Sequence, residues 1–316
     1  MASLTTIKTI AIVGATGNLG RLITNALLST NKFAITAISR SGSESTLPTD
    51  PSITIKRGDY SSPEFLADTF AGIEAVILCL HHNSIPDLEI KLIDGAAAAG
   101  VKWIFPTEFG HDSGNKELTR VGIVNSKKLG PRKRIEELAE KNPDLKWIGI
   151  INNPWFDFAM KRNMFLIDPK RRTASLLSGG TAKFNTTMIS TTALSIARLL
   201  SLPIASDEGA ALSDYGNKFV YISSFRVSQR DILDSVQRVT GTSDADWTIT
   251  HTDVQAFIDE GPAKLAKGDM TAVLNLLFGS LAKEGLGGDY ESTKGLSNAI
   301  LKLPEENLDE TVKALL

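Results

Sequence analysis

The chain has 316 residues, enough for one large or two modest domains with a buried core. Hydrophobic residues make up 42% of it, charged residues 22%, and the formal net charge is −2. That balance argues against a nucleic-acid partner or an anionic membrane, since it offers no broad basic field.

The basic run Lys127–Arg134 does not alter this, because Glu136, Glu137 and Glu140 follow it closely. The single cysteine, Cys79, excludes an internal disulfide and disfavours a cysteine-based zinc site. It lies in the apolar run EAVILCL and reads as buried packing. No metal is expected, since only His81, His82, His111 and His251 are available and no carboxylate cluster accompanies them. The opening MASLTTIKTI lacks the apolar core of a secretory leader, and no stretch approaches the roughly 18 apolar residues of a membrane span. The expectation is a soluble protein of the cytoplasm, a monomer or homodimer with a small-molecule substrate.

The first half alternates strand and helix. IKTIAIVG (7–14) reads as a strand, GRLITNALLST (20–30) as a helix, FAITAISR (33–40) and ITIKRGDY (53–60) as strands. SSPEFLADTFAG (61–72) carries a serine cap, a proline in the first turn and a closing glycine, which predicts a helix. EAVILCL (74–80), VKWIFP (101–106) and LKWIGIIN (145–152) read as strands. Helices are predicted over 85–100 and 133–141. Nearly continuous apolar strands alternating with helices imply an α/β fold, a doubly wound parallel sheet of the Rossmann type. Its ligands sit beyond the carboxyl ends of the strands. After residue 153 the alternation loosens. TASLLSG and FVYISSF read as strands, STTALSIARLLSLP and SQRDILDSVQRVTG as helices, and 254–285 as two helices broken at Gly261-Pro262. The expected division is a dinucleotide-binding domain over 1–155 and a smaller α/β substrate part over 156–316, some of whose segments return to the sheet.

IAIVGATGNLG places Gly14, Gly17 and Gly20 three apart between a strand and a helix. Gly14 permits the tight turn, Gly17 lets backbone approach a pyrophosphate, and Gly20 allows close helix–sheet packing. The helix N-terminus offers unpaired N–H groups, Leu19 among the loop residues, and about half a positive charge. Thr16 and Asn18 add side-chain donors. The second strand ends AISRSGS: Arg40, then Ser41 and Ser43, with no acid until Glu44. A guanidinium there matches a ribose 2′-phosphate, which predicts NADP(H) over NAD(H).

IAIVGATGNLG, AISR, KRGDY, AGVKWIFPTEFG (99–110) and INNPWFDF (152–158), in this order, resemble the NmrA-like, isoflavone reductase-like branch of the short-chain dehydrogenases, especially its fungal members. The block around PTEFG is the most specific, and the resemblance is strongest over the first half. It implies an NADP-binding Rossmann domain, a smaller C-terminal substrate domain and a cleft between them. It also implies hydride transfer from NADPH to aromatic or phenylpropanoid-like substrates. In place of the Tyr-x-x-x-Lys pair of ordinary short-chain dehydrogenases, the resemblance implies a lysine in the helix after strand five, which maps to Lys128 and is expected to bond the nicotinamide ribose of the cofactor and to assist proton transfer. The adjacent Lys127 leaves the register open by one, and Gly130-Pro131 leaves open a helix that starts only there. A Tyr-x-x-x-Lys does occur at Tyr290 and Lys294, far from strand five, and reads as chance. Pro106, Thr107 and Phe109 are expected to line the cofactor, with Glu108 a structural hydrogen-bonder. Asp59 and Leu80, at the ends of strands three and four, join the cofactor set. Asn153 and Pro154 are expected at the nicotinamide carboxamide, and Phe109, Trp155 and Phe156 at an aromatic substrate. The loop CLHHNSIPDLE departs from the family, with His81 and His82 where small residues are usual and acids where a glutamine is usual. His81, nearest the strand, is the candidate acid or base there; both histidines are candidate cofactor contacts.

Three functions follow. The first is an NADPH-dependent reductase of a small aromatic or heterocyclic specialised metabolite. The second is a redox-neutral cyclase or isomerase with bound NADP(H), motivated by the histidine pair. The third is a non-catalytic dinucleotide sensor.

Overall fold

The structure, a computed structural model, describes residues 5–42, 46, 50–121 and 123–316. Ser43, Glu44 and the opening residues 1–4, on which expectations were placed above, lie outside the described residues. The first strands and helices are β1 (Thr9–Val13), α1 (Asn18–Leu28), β2 (Ala34–Arg40), β3 (Ile53–Gly58), α2 (Pro63–Phe70), β4 (Ala75–Leu78) and α3 (Asp87–Ala98). They are followed by β5 (Trp103–Phe105), α4 (Lys116–Val121), α5 (Ile123–Lys141) and β6 (Lys146–Ile151).

These strands join β10 (Lys218–Tyr221) in a seven-stranded sheet of order β10-β6-β5-β4-β1-β2-β3. Every neighbouring pair is parallel, with Ile12 beside Ala37 on one side and Ile77 on the other. Strand alternation divides β1 between the two faces of the sheet core. Ile10 and Ile12 face α1 residues such as Ile23 and Leu27, and also Ile196 and Leu199 of α7 (Ile189–Leu200). Ala11 and Val13 face Leu66 and Phe70 of α2, Leu92 and Ile93 of α3, and Ile135 of α5. Each such side chain contributes roughly 1.5–3 kcal/mol by leaving water. With both faces covered, the ligand-accessible edge is the row of loops at the strands' carboxyl ends. Ser62 caps α2 by accepting the Phe65 amide at 3.1 Å, with Pro63 at the first helical position, as the sequence predicts.

A second core gathers Phe156, Phe165, Phe184, Phe225 and Phe278, with neighbouring rings 4.9–5.8 Å apart. It is built from α6 (Phe156–Lys161), β7 (Ile167–Asp168), β8 (Thr173–Leu177), β9 (Phe184–Thr186), β11 (Phe225–Val227), α8 (Gln229–Thr240), β12 (Thr248–Thr252), α9 (Val254–Ala266), α10 (Ala272–Ala282) and α12 (Leu308–Leu315), with the short α11 (Glu291–Lys294) beside it.

Three expectations are corrected. FVYISSF is two strands: β10 pairs with β6, while β11 pairs antiparallel with β9. The helix expected over 133–141 begins at Ile123 and runs through Gly130-Pro131. The pair Gly261-Pro262 does not break α9, which ends at Ala266 with Lys267 as its cap before Gly268 turns with φ +74°. Gly261 is where α9 and α10 approach: a Cβ there would stand 2.6 Å from Leu276 Cδ2. Packing of the two helices outweighs the helix cost of Pro262, about 3 kcal/mol.

Candidate functional site

The loops after β1, β2, β4, β5 and β6 carry most of the residues singled out by sequence. Gly14 has φ +80°, and a Cβ on it would lie 2.3 Å from the Cys79 carbonyl oxygen. A Cβ on Gly20 would lie 2.1 Å from the Gly14 carbonyl oxygen, so the helix sits directly on the loop. Gly17 is different. It is the N-cap of α1, it is exposed, and its Cβ would touch only the Gly14 carbonyl, at 3.3 Å. The helix starts at Asn18, two residues earlier than the sequence suggests. The amides of Asn18, Leu19 and Gly20 therefore form its first turn, where no intrahelical acceptor exists. Asn18 is exposed, Thr16 half-buried, and the Leu19 side chain packs into the core.

Beyond β2 and β3 lies a cavity of about 360 Å³ whose walls include Arg40, Ser41, Asp59, Tyr60, Leu88 and Lys91. Asp59 accepts the Ser61 amide at 2.8 Å and the Ser61 hydroxyl at 2.7 Å, which hold its carboxyl below the usual range. Burial pushes the Tyr60 phenol up to about 12, against the nearby charge of Arg40.

Thr107 ties the loops after β4 and β5 together. Its hydroxyl donates to Leu78 O at 3.0 Å and accepts the Leu80 amide at 3.4 Å. Its own amide donates to Glu89 Oε1 at 2.6 Å. Glu89 is buried, and burial raises its carboxyl to about 7 against the opposing pull of the Thr107 donors and Lys128. The acids of this helix are plain in the sequence, but no role for Glu89 follows from it. The available signal is its place in the buried stripe 89, 92, 93 and 96 of α3, where an acid among Leu92, Ile93 and Ala96 is out of keeping with the stripe.

Lys128, not Lys127, turns inward from α5. The residue lies within the helix rather than before it. Its Nζ donates to the Glu108 carbonyl oxygen and stands 3.8 Å from Glu108 Oε2. Burial lowers its pKa, opposed by the charges of Glu108, Glu89 and Asp112. Glu108 is held from the other side: Oε1 accepts Ser113 Oγ at 2.8 Å and Arg132 at 3.3 Å. Arg132 in turn lies over the Phe219 ring at 5.0 Å. Tyr221 donates its phenol to Asp112 at 3.0 Å. His111, buried beside this group, is pushed down to about 3 by burial and by Lys128, so its ring is neutral at working pH. Arg132, Ser113, Asp112, His111 and Tyr221 were not assigned from sequence, since only the fold brings them to Lys128.

Gly110 O accepts the amides of Asn152 and Asn153 at 3.2 and 3.0 Å, which joins the β5 and β6 loops beside Lys128. Asn153 has φ +52° and donates Nδ2 to Gly288 O at 2.9 Å. Asn152, also buried, leaves both side-chain polar atoms without a hydrogen-bond partner, as does the Trp155 indole nitrogen. Pro106 is buried; Leu80, Phe109, Pro154 and Trp155 are half-buried. Phe156 is not a pocket wall. It is fully buried in the second core, its ring 4.9 Å from that of Phe225, because it begins α6 on the inward face. His81 and His82 are exposed, with rings 4.0 Å apart, and His81 Nδ1 accepts the Asn83 amide at 3.3 Å. The Tyr290 phenol is committed to Ile222 O at 2.6 Å, while Lys294 is exposed.

Residues 14–190 match the NAD(P)H-binding family. Over 98% of this chain and 99% of its relative, the sequence is 30% identical to the oxidoreductase aprR of Aspergillus flavus. The chain belongs to the NAD(P)H-binding oxidoreductases. Among members of this family, the oxidoreductase poxI of Penicillium oxalicum is also 30% identical, over 96% of this chain and 92% of its own. The structure of AtPrR2 with NADP+ and (+)pinoresinol shares the fold, with a TM-score of 0.75, 16% identity and coverage of 99% of this chain and 100% of that one. Among the described residues no helix is long and apolar enough to cross a membrane.

Proposed function

We propose that this family member is an NADPH-dependent reductase of a small aromatic or heterocyclic metabolite, and that Lys128 handles the proton that accompanies the hydride. The residues fit a dinucleotide. Gly17 leaves the mouth of α1 open, and the Arg40 cavity lies beyond the neighbouring strand. A relative in fold is known with NADP+ bound, which agrees with Arg40 rather than an acid at the end of β2. When bound, the cofactor supplies a hydride. The amides of Asn18–Gly20 and the positive end of α1 would hold its phosphates. Pro154, half-buried after β6, would meet the carboxamide.

The observation that carries the reading is the buried amine of Lys128 at the ends of β5 and β6. The Glu108 carbonyl fixes the position of Nζ, and burial makes it a better proton donor than a surface lysine. Trp155 and Phe109 would cover the reacting face and exclude water. The division expected from sequence fits this role, with the second core, from Phe156 onward, backing the substrate side. Two steps test the reading. NADPH and NADH are first titrated by nicotinamide fluorescence; then NADPH consumption is followed over a panel of aromatic ketones, enones and quinones, with Lys128→Ala as the control. Preference for NADPH and turnover lost in the variant are expected. Equal binding of both cofactors, or turnover that survives the substitution, refutes it.

A further inference from the structure

We propose that Lys91 is a second cationic ligand of the cofactor's 2′-phosphate, and that it, rather than Arg40 alone, sets the preference for a phosphorylated dinucleotide. The proposal rests on the NADPH reading above. Arg40 enters the 360 Å³ cavity from the end of β2, and Lys91 enters it from the second turn of α3. Both are exposed, and among the described residues neither makes an ion pair. This is not the habit of the neighbouring cations. Lys56 is paired with Asp68 at 2.7 Å, and Arg134 reaches across to Asp94 of α3, also at 2.7 Å.

The charge count decides the matter. Asp59 lies on the same wall, and its carboxyl is kept ionised by the Ser61 amide and hydroxyl. Those two donors satisfy its hydrogen bonds but leave its charge. Arg40 and Asp59 together therefore cancel, and a dianionic phosphate brought to them would gain little. Lys91, whose charge already acts on Asp59, turns the cavity net positive. Lysine suits the role as a mobile point charge that complements the planar fork of arginine. Leu88, one turn earlier on the same helix, gives the cavity an apolar wall suited to the flat face of a base.

The test compares Lys91→Gln, Lys91→Glu and wild type in titrations with NADPH and NADH, with 2′,5′-ADP and 5′-ADP as competitors. Losing one charge-assisted contact is expected to weaken NADPH and 2′,5′-ADP about tenfold. Lys91→Glu is expected to weaken them further, with NADH and 5′-ADP changed by less than about twofold. An unchanged thermal midpoint checks that the fold is intact, as the exposure of Lys91 predicts. Unchanged NADPH affinity in Lys91→Gln, or equal loss for NADPH and NADH, overturns the proposal while leaving the NADPH reading standing. A wild-type protein that does not distinguish NADPH from NADH overturns both.

Discussion

Replacing Glu89 with glutamine removes a titration that burial sets against the fold. The carboxyl moves from an ordinary 4.5 to about 7 in the folded chain. Below pH 4.5 it is protonated in both the folded and the unfolded states and makes no difference between them. As pH rises from there towards 7, the unfolded chain releases the proton and the folded chain keeps it. Stability then falls by up to about 1.4 kcal/mol per pH unit. Above pH 7 both states are ionised and the loss is complete, at about 3 kcal/mol for the shift. The glutamine carbonyl retains the acceptor for the Thr107 amide and carries no charge to bury. Urea unfolding of wild type and Glu89→Gln at pH 5 and pH 8 reads this directly. Between those pH values the variant is expected to gain about 2–3 kcal/mol relative to wild type. Two curves that shift in parallel, within about 0.5 kcal/mol, refute the argument and show that Glu89 is paired or solvated well enough to ionise freely.

Arg40→Ala is expected to weaken NADPH about tenfold or more and NADH by less than twofold in the same fluorescence titration; equal losses refute the role. Lys128→Ala is expected to lower kcat about 100-fold with NADPH affinity nearly retained; stopped-flow oxidation of NADPH separates the two. The glycines should divide by cause: Gly20→Ala forces a Cβ to within 2.1 Å of a backbone oxygen and should cost about 3 kcal/mol of stability, whereas Gly17→Ala should fold normally and bind NADPH poorly. Denaturation and titration of both variants check this, and the reverse pattern refutes it. Cys79, whose thiol burial and Glu89 push upward, should react with iodoacetamide at pH 8 far more slowly in the native protein than in urea.

The strand-and-helix alternation was legible because its signals are local. The four residues of β4 are all buried, and its apolar run alone shows a strand covered on both faces. The Ser62 cap and the Ser228–Gly241 bracket of α8 are likewise written in adjacent residues. The two Gly-Pro pairs misled for the same reason. Read locally, the first can start a helix and the second breaks one. In the fold, side chains on both sides of Gly130-Pro131 are tethered: Lys128 to Glu108, Arg132 to Ser113 at 2.6 Å, and Arg134 to Asp94 at 2.7 Å. These contacts hold α5 together through a residue that supplies no amide, and their partners come from two other segments, α3 and the loop after β5.

The site divides along the same line. Gly14, Gly17, Gly20 and Arg40 can be proposed from sequence because the signals that point to them, one glycine loop and the end of one strand, are local. The lysine's surroundings cannot, because a charge in a protein interior must be balanced by groups the fold brings from elsewhere. Lys128 and Arg132 are matched by Glu108 and Asp112, with His111 kept neutral beside them. Counted this way, the cluster is neutral when Glu89 holds its proton and acquires a negative charge when it does not. The same reasoning separates the two ends of the expected cofactor path. At the Lys128 end, charges are buried and mutually cancelled, which favours holding one movable proton. At the Arg40 end they are exposed and left in surplus by Lys91, which favours capture of an anion. A sequence shows which charges exist; only the fold shows which of them remain uncancelled, and it is those that choose the ligand.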